Sequence, residues 1–335
     1  MAKSARPPTL YDIAKRAKTS PTTVSLVLND KWRAHRIRPE TAAHVIRVAK
    51  EANFSVDLRA RGLRLARSGL AGMIIPHYQN RFFAGLSESF EAAARQHGLC
   101  PAVISTGRDP ARERDAVSVL LAQKVESLFI TGASDPRPLN ALCRRDGVAF
   151  VNLDIPGDGP SVVSDNRLGA NLLTNRLMER MRTPHGTGPY FVGGLAGEYA
   201  TDERIKGFKQ AVRAAGRRAG SKQIITCGYE PAEVEAALSA LYDQLGRLPD
   251  GLFVNSIEAF EGAVQFIRSL PQEAFADLAL GCFDWNPFAA FLPIPVAMVR
   301  QDVKTMIDRA FAFIDGDLAA ADSPVRVAPA LIDGG

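Results

Sequence analysis

The sequence predicts two unlike parts: an all-α head of three short helices, and an α/β body made of two doubly wound parallel-sheet lobes. Three observations carry this reading. Residues 1–69 hold 15 Lys and Arg against 5 Asp and Glu, a net +10, while the other 266 residues of the 335 net −5. Apolar residues before position 53 recur at helical spacing in three short blocks. Beyond Leu70, short β-rich apolar runs alternate with helical stretches of 10 to 17 residues.

In the head, Thr9 followed three residues later by Asp12 predicts a reciprocal cap at the start of a first helix, whose apolar face is Leu10, Ile13, Ala14 and Ala17. Ser20 before Pro21 predicts the start of a second helix, because proline suits the first helical position. Val24, Val27 and Leu28 face inward there, which leaves Thr22, Thr23 and Ser25 outward. A third helix is expected from Pro39 to about Asn53, with Ala42, Val45, Ile46, Ala49 and Ala52 inward. The tight turn between the first two helices makes this a helix-turn-helix unit. Pattern alone equally fits a plain structural bundle. The net +10 and the small hydroxyl side chains outside the second helix favour a polyanion, DNA, since short side chains allow close approach to base edges and phosphates. Residues 54–69 follow with Arg59, Arg61, Arg64 and Arg67, either a flexible basic linker or a helix that forms on DNA.

The body's predicted strands are 71–76, 101–106, 127–132, 149–154, 190–194, 223–228, 251–256, 278–284 and 296–302, more than one doubly wound sheet ordinarily needs. No stretch approaches the roughly 18 apolar residues of a membrane helix, and the first twenty residues carry no secretory apolar run, so a cytoplasmic location is expected. The four cysteines lack metal-ligand spacing, and neither metal nor cofactor is expected. No nucleophile elbow, phosphate-binding loop or zinc-protease motif is present, so the expectation is a protein that is not an enzyme.

The segments TLYDIAKRAKTSPTTVSLVLN and RPETAAHVIRVAKEANF resemble the DNA-binding head of the LacI/GalR family of bacterial transcriptional regulators, and the body resembles the type I periplasmic-binding-protein fold of the same family. The resemblance implies a ligand-responsive regulator, a repressor, binding a pseudo-palindromic operator in double-stranded DNA as a homodimer. It places Pro21 and Thr22 where the family varies its base-reading residues. Leu10, Tyr11, Thr23, Ser25 and Asn29 fall at its other contacts, mainly to phosphate, and Thr9 and Ser20 at the helix caps join the same DNA-facing set. Leu26 stands where an arginine is usual, and Lys18 where a glycine commonly ends the first helix. The segment 30–38 is longer than usual and basic, with Arg36 expected along the phosphate backbone, unless the loop is merely solvated. The family's hinge helix enters the minor groove, and its inserted leucine matches Leu63, flanked by Arg59 and Ala60.

The implied boundaries are a head at 1–56, a hinge at 57–69 and an effector-binding, dimerising body at 70–335. Lobe 1 takes about 70–165 and 296–323, and lobe 2 about 166–295 and 324–335. In such a fold ligands bind outside the carboxyl ends of the strands. There lie Pro76 with His77, Tyr78, Asn80, Arg81 and Phe82, then Asp154, Asn255, Asp284 and Trp285. Arg204 matches the family's effector-clamping arginine, Asp284 its aspartate and Asn255 its asparagine. Taken singly, Arg204 also reads as a helix-surface charge and Trp285 as core. Together they imply a sugar, sugar acid or related polyol held by bidentate polar groups beside an aromatic face. Trp285 and Ser256 replace acidic residues common in the family. The sequence shows no heptad tail, so a dimer rather than a coiled-coil tetramer is expected. The competing classes are a sugar-delivering binding protein, which would not need the basic head, and a sugar-processing α/β enzyme, which would need a catalytic group.

Overall fold

A computed structural model describes residues 8–28, 31–52, 54, 68–182, 187–218 and 220–333. The chain divides into two compact units, Met1–Gly69 and Leu70–Gly335.

The first unit contains α1 (Leu10–Arg16), α2 (Pro21–Leu28) and α3 (Pro39–Glu51). The expected capping box is formed: the Thr9 amide donates to Asp12 Oδ2 at 2.8 Å, and the Asp12 amide donates to Thr9 Oγ1 at 3.3 Å. Ser20 Oγ accepts the Thr23 amide at 3.0 Å and so starts α2. Lys18 in the turn has φ +50°, the left-handed backbone for which glycine is the usual choice, at a cost of about 1 kcal/mol. Ile13, Val24, Val27, Ala42, Val45 and Ala49 meet in the core. Ile46, expected inward, is instead 50% exposed, and Val48 takes its place. At 100° per residue, 42, 45, 48, 49 and 52 form one stripe and 46 falls off its edge.

The lengthened segment is a closed turn. The Ile37 amide donates to the Trp32 carbonyl at 2.9 Å, Arg36 reverses the chain at φ +55°, and Trp32 and Ile37 pack against the helical core. That leaves Arg36 exposed at the tip. Asn29, Arg59, Ala60 and Leu63 lie outside the described residues.

The second unit carries two six-stranded sheets. The first contains β1 (Leu70–Ile75), β2 (Cys100–Ser105), β3 (Ser127–Thr131), β4 (Ala149–Leu153) and β5 (Ser161–Ser164). Joining its strands are α4 (Arg81–Gln96), α5 (Pro110–Ala122) and α6 (Pro136–Arg145). The chain then crosses over through α7 (Asn166–Arg180). The second sheet contains β6 (Tyr190–Val192), β7 (Ile224–Ile225), β8 (Gly251–Val254), β9 (Ala279–Phe283) and β10 (Val296–Arg300). Between those strands run α8 (Tyr199–Ala214), α9 (Pro231–Leu245) and α10 (Ile257–Arg268). Finally α11 (Val303–Asp315) and β11 (Val325–Val327) return to the first lobe, and β12 (Ala330–Asp333) closes the second.

The sheet orders are β2-β1-β3-β4-β5-β11 and β7-β6-β8-β9-β10-β12, parallel throughout except for β12 against β10. Apolar clusters cover both faces of each sheet, as buried parallel strands require. Two expected crossing points move. Residues 296–300 pair with β9 in the second sheet rather than returning to lobe 1, so that crossing follows Arg300. β11 pairs with β5 in the first sheet, so the last crossing follows Val327 instead of preceding 324.

Candidate functional site

In the head, Tyr11 is 70% exposed and Thr22 is exposed, while Pro21, Thr23, Ser25 and Leu26 are half-buried along α2. Thr9 and Ser20 spend their hydroxyls on the caps described above, and Thr23 Oγ1 lies 2.8 Å from Ser20 Oγ. The outward groups of α2 are therefore Thr22 and the edges of its neighbours. This short, uncharged helix face can be laid close to a groove because it carries no acidic side chain.

The cleft of the second unit is built from strand ends. Arg108, Asp154 and Asp284 follow β2, β4 and β9, and all three have positive φ, at +56°, +65° and +141°. Left-handed backbone in non-glycine residues persists only where the surroundings over-determine it, and it clusters at binding sites. At Arg108 the support is visible: the Ser134 amide donates to the buried Glu113 at 3.0 Å, which holds the Ser134 hydroxyl 3.2 Å from the Arg108 carbonyl.

Arg204 extends from α8 to the centre and is only 4% exposed. Its Nε donates to Asn166 Oδ1 at 2.8 Å, its Nη1 to the Asn255 carbonyl at 2.5 Å, and its guanidinium lies 3.8 Å from the Phe283 ring centre. It is thus no surface charge. Asp284 receives Gln301 Nε2 at 2.7 Å and the Ile257 amide at 3.3 Å. Burial raises the Asp284 carboxyl, with Arg204 pulling the other way. Part of Asp154 faces the cleft, yet its Oδ1 is enclosed without a hydrogen-bond partner. Burial pushes its carboxyl up to about 7, Arg204 opposes this, and Asp284 adds to it. Asn255 Nδ2 donates to Thr201 Oγ1 at 3.1 Å beneath Gly194, where a Cβ would run into both side chains.

Four groups not anticipated from sequence complete the site. Arg108 Nη1 approaches Glu198 Oε1 at 3.4 Å across the lobes, and its guanidinium lies 4.8 Å from the Tyr229 ring centre. The Tyr229 hydroxyl donates to Glu198 Oε2 at 2.5 Å, and burial with the Glu198 charge pushes that phenol up to about 12. Gln301 is the fourth. The rule that singled out strand ends would have found Arg108 after β2 and Gln301 after β10, had it been applied to every strand.

The remaining candidates divide. Arg81 covers Trp285 at 5.3 Å, and Arg300 lies 5.8 Å from the same ring, so Trp285 stands at the mouth between cations. His77 is half-buried nearby in sequence, but Tyr78 is 53% exposed and donates to the Val103 carbonyl at 3.1 Å, out at the rim. Asn80 caps α4 by accepting the Phe82 amide at 2.9 Å, and Phe82 packs on Phe83, so both are explained as structure.

Two family models match this chain: "Bacterial regulatory proteins, lacI family" over residues 9–57, and "Periplasmic binding proteins and sugar binding domain of LacI family" over residues 68–274. The chain belongs to the LacI family. It is 40% identical to the ribitol operon repressor of Klebsiella aerogenes over 189 residues, 56% of this chain and 70% of that protein. It is 27% identical to the sucrose operon repressor of Klebsiella pneumoniae over 88% of this chain and 87% of that one. The solved lac repressor dimer, bound to operator and the anti-inducer ONPF, shares the fold at TM-score 0.77 and 19% identity over 98% of each chain. As a LacI-family member the protein is a DNA-binding transcriptional regulator with an effector-binding body, not an enzyme. Among the described residues no helix is long and apolar enough to cross a membrane, and no group of three metal-ligating side chains assembles.

Proposed function

We propose that this LacI-family regulator is a repressor controlled by a sugar or polyol bound between its two lobes, acting in the cytoplasm on an operator it grips as a homodimer. One observation carries the reading. A buried arginine, the buried Asp284, the half-buried Asp154 and a buried asparagine converge on the interlobe cleft, and Asp154 Oδ1 and Asn255 Oδ1 have no protein partner. Buried polar atoms are paired in the great majority of cases, so such orphans mark the place of a hydrogen-bonding ligand. The 40% identity to a ribitol operon repressor supports a polyol.

The head reads bases through Pro21, Thr22 and Leu26, and positions itself on phosphates through Leu10, Tyr11, Thr23, Ser25, Asn29 and Arg36. Residues 57–69, with Arg59, Ala60 and Leu63, act as the minor-groove hinge. Phe288 and Phe291 of the second lobe are 69% and 82% exposed side by side, a patch suited to burial in a dimer.

Calorimetric titration of the full chain with sugars and polyols tests the site. A ligand that binds the natural protein should lose at least about tenfold in affinity with Arg204→Ala or Asp284→Ala, as expected when a charged buried partner is removed. Unchanged affinity in both variants rules the cleft out.

A further inference from the structure

Two arginines at the cleft mouth stand without an acid partner. Arg81 opens α4 in the first lobe and Arg300 ends β10 in the second, and both are exposed. Their guanidinium carbons lie 5.3 and 5.8 Å from the Trp285 ring centre, so one ring gathers two positive charges from opposite lobes. Among the described residues no hydrogen bond or ion pair reaches either one. The carboxylates nearest to them in sequence are spent elsewhere. Asp302 caps α11, accepting the Thr305 amide at 3.0 Å and the Thr305 hydroxyl at 2.7 Å, while Asp284 receives Gln301 and the Ile257 amide and faces Arg204. An aromatic face orients a cation but does not neutralise it. The start of α4 adds charge of the same sign: Asn80, 5% exposed, accepts the Phe82 amide at 2.9 Å, and the positive end of this 16-residue helix lies at Arg81.

We propose that Arg81 and Arg300 form an oxyanion subsite beside Trp285, which holds a phosphate monoester at one end of the effector and so ties one lobe to the other; the proposal rests on the interlobe cleft being the effector site. Two guanidinium forks match the nearly two charges and the several acceptor oxygens of a phosphate monoester better than they match a carboxylate. One small ligand can reach both mouth and floor, because each mouth residue is the chain neighbour of a floor residue. Trp285 follows Asp284, and Arg300 precedes Gln301, whose Nε2 donates to Asp284 at 2.7 Å. Hydroxyls of the same molecule supply the donors that Asp154 Oδ1, Asn255 Oδ1 and Gln301 Oε1 lack. The floor does little to repel the anion, since burial pushes the Asp154 carboxyl up to about 7 and leaves much of it protonated at neutral pH.

The test is calorimetric titration of the full-length protein in phosphate-free buffer at pH 7.5. The probes are five- and six-carbon alditols and aldoses, their terminal phosphate monoesters, their aldonic acids, and the neutral parents with inorganic phosphate added. A phosphate monoester should bind at least about tenfold tighter than its parent, as charge-assisted contacts imply, and tighter than the aldonic acid. Arg81→Gln and Arg300→Gln should each cut the ratio of ester to parent affinity several-fold, and Arg300→Lys, which keeps the charge but loses the fork, should cut it less. Both side chains are exposed, so these variants should fold as the natural protein does. An ester that binds no tighter than its parent overturns the subsite and leaves the cleft as a sugar site, and so does a ratio that both glutamine variants leave unchanged. An aldonic acid that equals or exceeds the ester overturns the choice of anion. A parent that gains the ester's affinity when inorganic phosphate is added makes the anion a separate ion and overturns its assignment to the effector. Absence of binding by every probe overturns the site reading itself.

Discussion

Asp154→Asn should stabilise the ligand-free protein at neutral pH while weakening its effector binding. The Asp154 carboxyl is raised from an ordinary value near 3.8 to about 7 by burial, so the folded protein holds a proton that the unfolded chain has released. Because the folded value is the higher one, stability is full below about pH 4 and is lost as pH rises towards 7. About three units at about 1.4 kcal/mol each set a ceiling of roughly 4 kcal/mol. Part of the residue faces the open cleft, and solvent screening there reduces the expected gain to about 1–3 kcal/mol. The backbone raises no objection, since φ is +65° and asparagine tolerates the left-handed region better than most residues. Urea unfolding of the full chain at pH 8, 6 and 4, followed by Trp285 fluorescence in a Trp32→Phe background that silences the head's tryptophan, is the assay. The variant should be the more stable protein at pH 8, with the difference shrinking at pH 6 and vanishing near pH 4. A variant less stable than the natural protein at pH 8, or a difference independent of pH, would show that the carboxyl is not held against its ionisation.

Three further outcomes are expected. Thr22→Ala should change which duplexes bind best, whereas Arg36→Ala should weaken specific and random duplexes alike, both read by fluorescence anisotropy; equal losses for Thr22→Ala on the two duplexes would remove its base-reading role. His97, whose ring contacts the Ala93 carbonyl at 2.8 Å and Asp315 at 3.0 Å and stacks on Phe311, has a raised pKa, caused first by the Ala93 carbonyl. Its contribution should therefore be full at pH 6 or below and fade as pH rises through the raised value, so His97→Ala should destabilise the body more at pH 5.5 than at pH 8.5 by differential unfolding. Gly194→Ala should abolish effector binding, because a Cβ there collides with Asn255 and Thr201 and the backbone has φ +78°; retention of natural affinity by calorimetry would show that this pair can shift freely.

The head was legible because its start signals are local. Thr9 with Asp12, and Ser20 with Pro21, specify helix starts within three residues, and both caps form as the side-chain chemistry requires. Ile46 misled because its hydrophobicity matches the stripe that its angle misses. In the body, long apolar runs such as SLFIT and ALGCF announced strands, whereas β5, β11 and β12 span only four, three and four residues and depend on partners far away in sequence. The same non-locality hid the sheet to which β10 belongs, since VAMVR suits either lobe equally. Arg204, Asp154, Asn255 and Asp284 could be singled out from strand ends and family resemblance. Arg108 too lies at a strand end, but its pairing with Glu198 and Tyr229 was not legible, because those contacts join residues 90 and 31 positions apart.

Coupling between cleft and head is the central claim, and one titration addresses it directly. Operator recovered by selection from random duplexes is labelled and titrated with the natural protein and with Arg204→Ala, each with and without a saturating ligand found to bind. The natural protein should change its operator affinity at least tenfold on adding ligand, a coupling of about 1.4 kcal/mol, and the ligand's affinity for the DNA complex must shift by the same factor. Arg204→Ala should bind operator as the ligand-free natural protein does and ignore the ligand. Operator affinity that is indifferent to ligand in the natural protein, or equally responsive in the variant, would contradict control of the head from this cleft.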